Sequence, residues 1–148
     1  MSSDSRTLML LGWVILTLIA VAVAIYVRVP LKVTWRGVLI SMLPSSLMLA
    51  LFYSLAVRLY QHLGKWPESI GDAGFPHSLI IHESISINYF VILLLLNLFV
   101  WPIVLLLCAI IRSGRGLVSY LGIHILSYFV SWGLMLLAPS GFLNWWWD

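Results

Sequence analysis

The chain has 148 residues, 62% of them hydrophobic and 9% charged, with a mean hydropathy of +1.06. A soluble domain carries about 25% charged residues, so this chain lacks the polar surface needed to cover a water-facing globule. The formal net charge of +3 is small and scattered, which argues against a nucleic-acid partner.

The charges are confined. Four stretches, residues 8–27, 38–57, 85–111 and 117–137, contain no Asp, Glu, Lys or Arg. Each has the roughly 20 residues that a helix rising ~1.5 Å per residue needs to cross a ~30 Å hydrocarbon core. In lipid a backbone satisfies its polar groups only internally, so the stretches predict four transmembrane helices. The expected fold is all-α. It is a single four-helix membrane domain over residues 1–148, arranged as two antiparallel hairpins with one outer loop of moderate length, residues 58–84.

The first stretch follows Arg6 and contains Ala22-Val23-Ala24, the pattern of a secretion-signal cleavage site. Its apolar run exceeds the usual 7–15 residues of a signal core, so it reads as a retained helix. A short connection with Pro30 leads to the second stretch. That helix is expected to run on to Leu63 and stop at Gly64, a residue suited to a left-handed cap. Trp66-Pro67, Gly71, Gly74 and Pro76 then signal turns, and Pro76 can open an unusually long third helix. Ser84-Ile85-Ser86-Ile87-Asn88 alternates like a strand. An open strand at membrane depth is untenable, so an interfacial break followed by helix is expected there. Arg112-Ser113-Gly114-Arg115-Gly116 is the tightest connection, and short connections join antiparallel neighbours. After Pro139 the tail is expected to turn along the membrane surface, anchored by Trp145, Trp146 and Trp147. Trp13, Trp35 and Trp66 also fall near span ends as an aromatic belt, whereas Trp101 and Trp132 sit deeper, as packing residues.

With four spans, both termini and the middle loop share one side. That side holds Arg6, Arg58 and Lys65 and every acid: Asp4, Glu68, Asp72, Glu83 and Asp148. The other side holds Arg28, Lys32, Arg36, Arg112 and Arg115 without an acid. Basic residues near span ends mark the cytoplasmic face, so both termini are expected outside the cytoplasm, in a bacterial inner membrane.

The fourth stretch carries the clearest polar pattern. Tyr120, His124, Ser127, Tyr128 and Ser131 lie within a stripe about 100° wide, opposite Ile125, Leu126, Phe129, Val130 and Trp132, a face suited to lipid. The third stretch offers Phe90, Asn97, Trp101, Val104 and Cys108 as a matching face, with Asn97 expected to bond near Ser127, Tyr128 or Ser131. Small-residue stripes at Thr17/Ala20/Ala24 and Ser46/Ala50/Ser54 read as helix contacts. The plain reading of the polar stripe is hydrogen bonding between helices. The sharper one makes His124 a ligand to haem or another tetrapyrrole, or a proton-relay group. In the outer loop His62, His77, His82 and Glu83 have the chemistry of a zinc or copper site, although the His77–His82 spacing does not stack them on one helix face.

Other activities find no support. Cys108 stands alone, so an internal disulfide and a thiol-redox pair are excluded. No carboxylate lies inside a stretch, as a proton- or cation-coupled carrier would need. No Gly-x-Ser-x-Gly or His-Glu-x-x-His motif occurs. The expected function is therefore non-catalytic: an accessory, assembly or structural subunit of a larger membrane complex, without a cofactor. Its expected partners are the lipid bilayer and other membrane subunits or further copies of itself. Two alternatives are a tetrapyrrole-binding or apolar-ligand-binding protein using His124, and a small oligomeric channel or carrier lined by the polar stripe.

Overall fold

The computed structural model of the chain describes residues 33–66 and 75–147. Of these, 89% are helical, and no strand occurs among the described residues. Helix α1 is Trp35–Leu63 and α2 is His77–Leu95. A π-helical turn, Leu96–Val100, joins α2 directly to α3, Trp101–Ile110. A 3-10 turn at Arg112–Gly114 leads into α4, Arg115–Met135, and a short α5 covers Ser140–Trp147. Three segments are long and apolar enough to cross a membrane: Trp35–Leu63, His77–Ile110 and Arg112–Met135. The expected first span, residues 8–27, lies outside the described residues.

Local chemistry sets the limits of these helices. Thr34 caps α1, its Oγ1 accepting the Gly37 N–H at 3.2 Å and so satisfying a donor that has no helical partner. The far end closes as the sequence predicts. Gly64 has φ +69° and its N–H reaches the Tyr60 carbonyl at 2.9 Å, a left-handed cap that a side chain would strain. Pro76 opens α2, its carbonyl accepting the N–H groups of Leu79 and Ile80 at 2.8 and 3.2 Å. The segment from His77 to Ile110 is 34 residues long, about 50 Å at the helical rise. The long helix expected from Pro76 is there.

The expected break at residues 84–88 is not. Helix α2 runs through these residues, and its polar side chains are satisfied on the preceding turn: Ser86 Oγ donates to the His82 carbonyl at 2.8 Å, and Asn88 Nδ2 to the Ser84 carbonyl at 2.7 Å. The irregularity falls instead one turn before Pro102. A proline has no N–H, and its ring crowds the carbonyl four residues back, here Leu98. The helix widens to accommodate it, and the Trp101 N–H bonds to the Leu96 carbonyl, a π-type step.

The chain divides into two compact units: Met1–Ser41 with Leu94–Ile125, and Met42–Leu93 with Leu126–Asp148. In the first, Leu105 and Ala109 of α3 meet Val118 and Ile125 of α4, flanked by Trp101, Cys108 and Leu121. Ile125 is therefore core and not the lipid-facing residue that the α4 pattern implied. Fitting a proline and a π turn into the facing helix rotates its apolar residues, so the cluster forms on Leu105 and Ala109, beside the expected Val104/Cys108 line.

The second unit is organised around aromatic rings. Phe52 of α1 packs against Phe142 and Trp146 of α5, with ring centroids 4.9 and 5.0 Å apart. Trp66 bridges Tyr60 and Phe142, and Trp145 lies beside Phe142 and Phe75. The tail after Pro139 forms a helix that docks one face on these rings, with Phe142 wholly buried and Trp145 only 5% exposed, while Ser140, Asn144 and Trp147 face outward. Three successive residues on a helix point about 100° apart, so Trp145, Trp146 and Trp147 cannot all lie in one belt. Two turn inward and Trp147 stays exposed.

Candidate functional site

In the first unit the predicted polar stripe supplies Tyr120 and His124. Tyr120 Oη accepts the Thr34 N–H at 2.9 Å and lies 3.2 Å from Thr34 Oγ1. A helical Cβ leans toward the N-terminus of its helix, which carries the phenol up to the start of α1. Gly37 makes the approach possible, since a β-carbon there would overlap the Tyr120 ring. One helical turn further into α4, the buried His124 donates Nδ1–H to the Ser41 carbonyl of α1 at 3.0 Å. A carbonyl only accepts, so this bond fixes the proton on Nδ1. Trp101 of α3 packs edge-on to the imidazole, with ring centroids 5.4 Å apart and planes at 70°. Asn97, from the π turn, is also buried.

The rest of the stripe belongs to the second unit, where Tyr128 and Ser131 are buried. Ser127 Oγ donates to Ser45 Oγ of α1 at 3.1 Å. Two tyrosines missed in the sequence reading make similar bonds, Tyr89 Oη to the Pro44 carbonyl at 3.2 Å and Tyr53 Oη to the Leu134 carbonyl at 2.7 Å. Each ties one helix to the backbone of another. The polar groups hold helices together.

A second cluster sits where α1 ends and α2 begins. Arg58 Nη1 lies 3.3 Å from His82 Nδ1, and His82 Nε2 lies 3.1 Å from Ser54 Oγ. Arginine can only donate, so Nδ1 accepts and Nε2–H donates to Ser54. Ser54 in turn donates to the Leu51 carbonyl at 3.0 Å. A Ser–His pair at this distance suggests an activated nucleophile, but activation needs the histidine nitrogen to accept the serine proton. Here Arg58 imposes the opposite tautomer. Ser54 and Arg58 are four apart on α1, a spacing that places them on one face and was the available sequence signal.

Beside this cluster Arg58, Gln61, His62, Pro76, Ser78 and Leu79 line a cleft of about 280 Å³. The four residues considered for a metal do not come together there. No group of three or more His, Cys, Asp or Glu side chains is placed to hold a metal ion among the described residues. His82 instead faces Ser54 and the Arg58 cation. His62 lines the cleft, and His77 and Glu83 lie in the first two turns of α2.

No protein-family model, no curated protein and no solved structure matches the chain.

Proposed function

We propose that this chain is a small integral membrane protein acting as a non-catalytic accessory, assembly or structural subunit of a larger membrane complex. Three helices long and apolar enough to span a bilayer support the membrane location. With the apolar stretch at residues 8–27 as a fourth span, the helices would form two antiparallel hairpins, with both termini outside the cytoplasm of a bacterial inner membrane.

One observation carries the non-catalytic reading. The side chains best suited to chemistry spend their bonds between helices: Tyr120 on Thr34, His124 on Ser41, Ser127 on Ser45 and His82 on Ser54. Such bonds set which helices pair and in what register, and contribute about 0.6 kcal/mol each. Large apolar side chains remain outward on α1 and α4, Leu43 and Leu126 among them. Placing a photo-crosslinking residue at Leu43 and at Leu126 in cells tests the assignment. A discrete adduct with one other membrane protein is expected from at least one position. Adducts with lipid alone, or only with further copies of the chain, would reject it.

A second reading has one favourable feature. The Nδ1–H bond to the Ser41 carbonyl is the arrangement by which metal-bound imidazoles are commonly oriented, with Nε2 as the ligating nitrogen. A tetrapyrrole held by His124 would give the purified protein a visible absorbance band.

A further inference from the structure

The first unit gathers positive charge at one end, with no acidic side chain beside it among the described residues. Arg36 stands in the first turn of α1, Arg112 begins the 3-10 turn before α4, and Arg115 begins α4 itself. The Tyr120 bond to Thr34 brings these two places together, because Thr34 is two residues from Arg36 and Tyr120 is five from Arg115. Arg36 and Arg112 are exposed, and Arg115 is half-buried. Arg115 Nε points to the Ala109 carbonyl at 3.4 Å, which steadies its guanidinium across the end of α3. Among the described residues of this unit there is no Asp or Glu. The sequence adds Arg28 and Lys32 just before α1, again with no acid between them and Arg36.

Three arginines at the end of a lipid-spanning helix pair lie at headgroup depth, where the counter-charge in reach is the phosphate of an anionic lipid. The planar guanidinium takes two phosphate oxygens at once, and no acidic side chain among the described residues of this unit competes for it. We propose that the Arg36, Arg112 and Arg115 end of the first unit is a docking surface for the phosphate headgroups of anionic phospholipids. It rests on the membrane reading, in that the helices place this end at the headgroup level.

The test uses the full chain, delipidated in detergent and reconstituted into nanodiscs of phosphatidylcholine with a minor share of phosphatidylglycerol. Lipid retained by the protein is then counted by native mass spectrometry. Symmetric nanodiscs remove any effect of the substitutions on insertion orientation. The parent protein should retain phosphatidylglycerol well above its share in the disc. The triple variant Arg36→Gln/Arg112→Gln/Arg115→Gln should lose that preference, each arginine being worth about fivefold in anionic-lipid affinity. The Arg→Lys triple should keep most of it, and Lys65→Gln, in the acid-bearing segment, should change it by less than about twofold. If the triple variant does not fold, the parent decides alone, because high salt should abolish its preference. Equal retention of both lipids by the parent, or an unchanged preference in a folded triple variant, would overturn the proposal. So would displacement of the bound lipid by an acidic peptide at equal charge, which would assign the surface to a protein. Failure of the chain to enter the nanodisc at all would count against the membrane reading instead.

Discussion

Tyr120 Oη and the backbone nitrogen of Thr34 are 2.9 Å apart across 86 residues of sequence. The same hydroxyl lies beside Thr34 Oγ1, which itself caps the Gly37 N–H. One phenol therefore locks both the start of α1 and the tilt of α4 against it. Removing the hydroxyl in Tyr120→Phe should lower stability by about 1 kcal/mol, and Thr34→Ala by a similar ~1 kcal/mol. The double variant should fall short of the sum, since both changes remove the same contact. Thermal unfolding in detergent measures all three.

Gly37 gives a sharper version of the same test. Gly37→Ala should destabilise by roughly 1–3 kcal/mol, the usual cost of forcing extra volume into a packed contact. In a Tyr120→Ala background the same change should cost almost nothing, because the obstructing ring is gone. Equal effects in both backgrounds would show that α1 and α4 do not meet at this point.

His124 should tolerate glutamine and resent leucine. Gln retains a donor for the Ser41 carbonyl, whereas Leu removes it, at a cost of roughly 0.6 kcal/mol by the average for membrane helix pairs. Unfolding curves and the elution profile of His124→Gln should therefore match the parent. Loss of assembly in His124→Gln would mean that the imidazole serves a partner that an amide cannot replace, a metal first of all.

The C-terminal helix should be a structural element rather than a membrane anchor. Phe142 is wholly buried among Phe52, Trp66, Trp145 and Trp146. Phe142→Ala should cost about 3–5 kcal/mol, and Trp147→Ala only about 1 kcal/mol, because Trp147 is half exposed and keeps an edge contact with Phe90. A tail that merely lay in the interface would make the two changes similar and both small.

Topology is accessible to labelling. Single cysteines at Ser69 and at Ser113, in a Cys108→Ser background, are expected to react with an impermeant thiol reagent on intact cells at position 69 only. The expectation follows from the acid-free basic connection around Ser113. Reaction at 113 but not at 69 would invert the orientation.

The particular residues show what sequence reasoning can reach. Apolar length and charge exclusion gave the spanning segments 38–57, 85–111 and 117–137 as helices, and Gly64 and Pro76 marked their turns, because those signals are local. Buried Tyr128, His124 and Ser131 followed from periodicity in the same way. The π turn before Pro102 was not legible, since whether a helix kinks, frays or widens at a proline depends on what packs against it. Nor was the aromatic core: Trp145 and Trp146 carry the composition of an interfacial belt, and only the rings facing them, Phe75 and Phe142 on Trp145 and Phe52 and Phe90 on Trp146, turn them inward. The Arg58–His82–Ser54 chain joins residues 24 and 28 positions apart, a separation at which periodicity carries no information.

The central claim is that the polar side chains of this protein hold its helices together and that its work is done in company with another membrane protein. Its most direct test is the mass and composition of the particle extracted from native membranes in mild detergent, recorded together with its absorbance spectrum. A stoichiometric hetero-complex with no visible band beyond the aromatic absorption is the expected result. A clean homo-oligomer or monomer, or a Soret-type band that disappears in a His124→Leu variant, would contradict it.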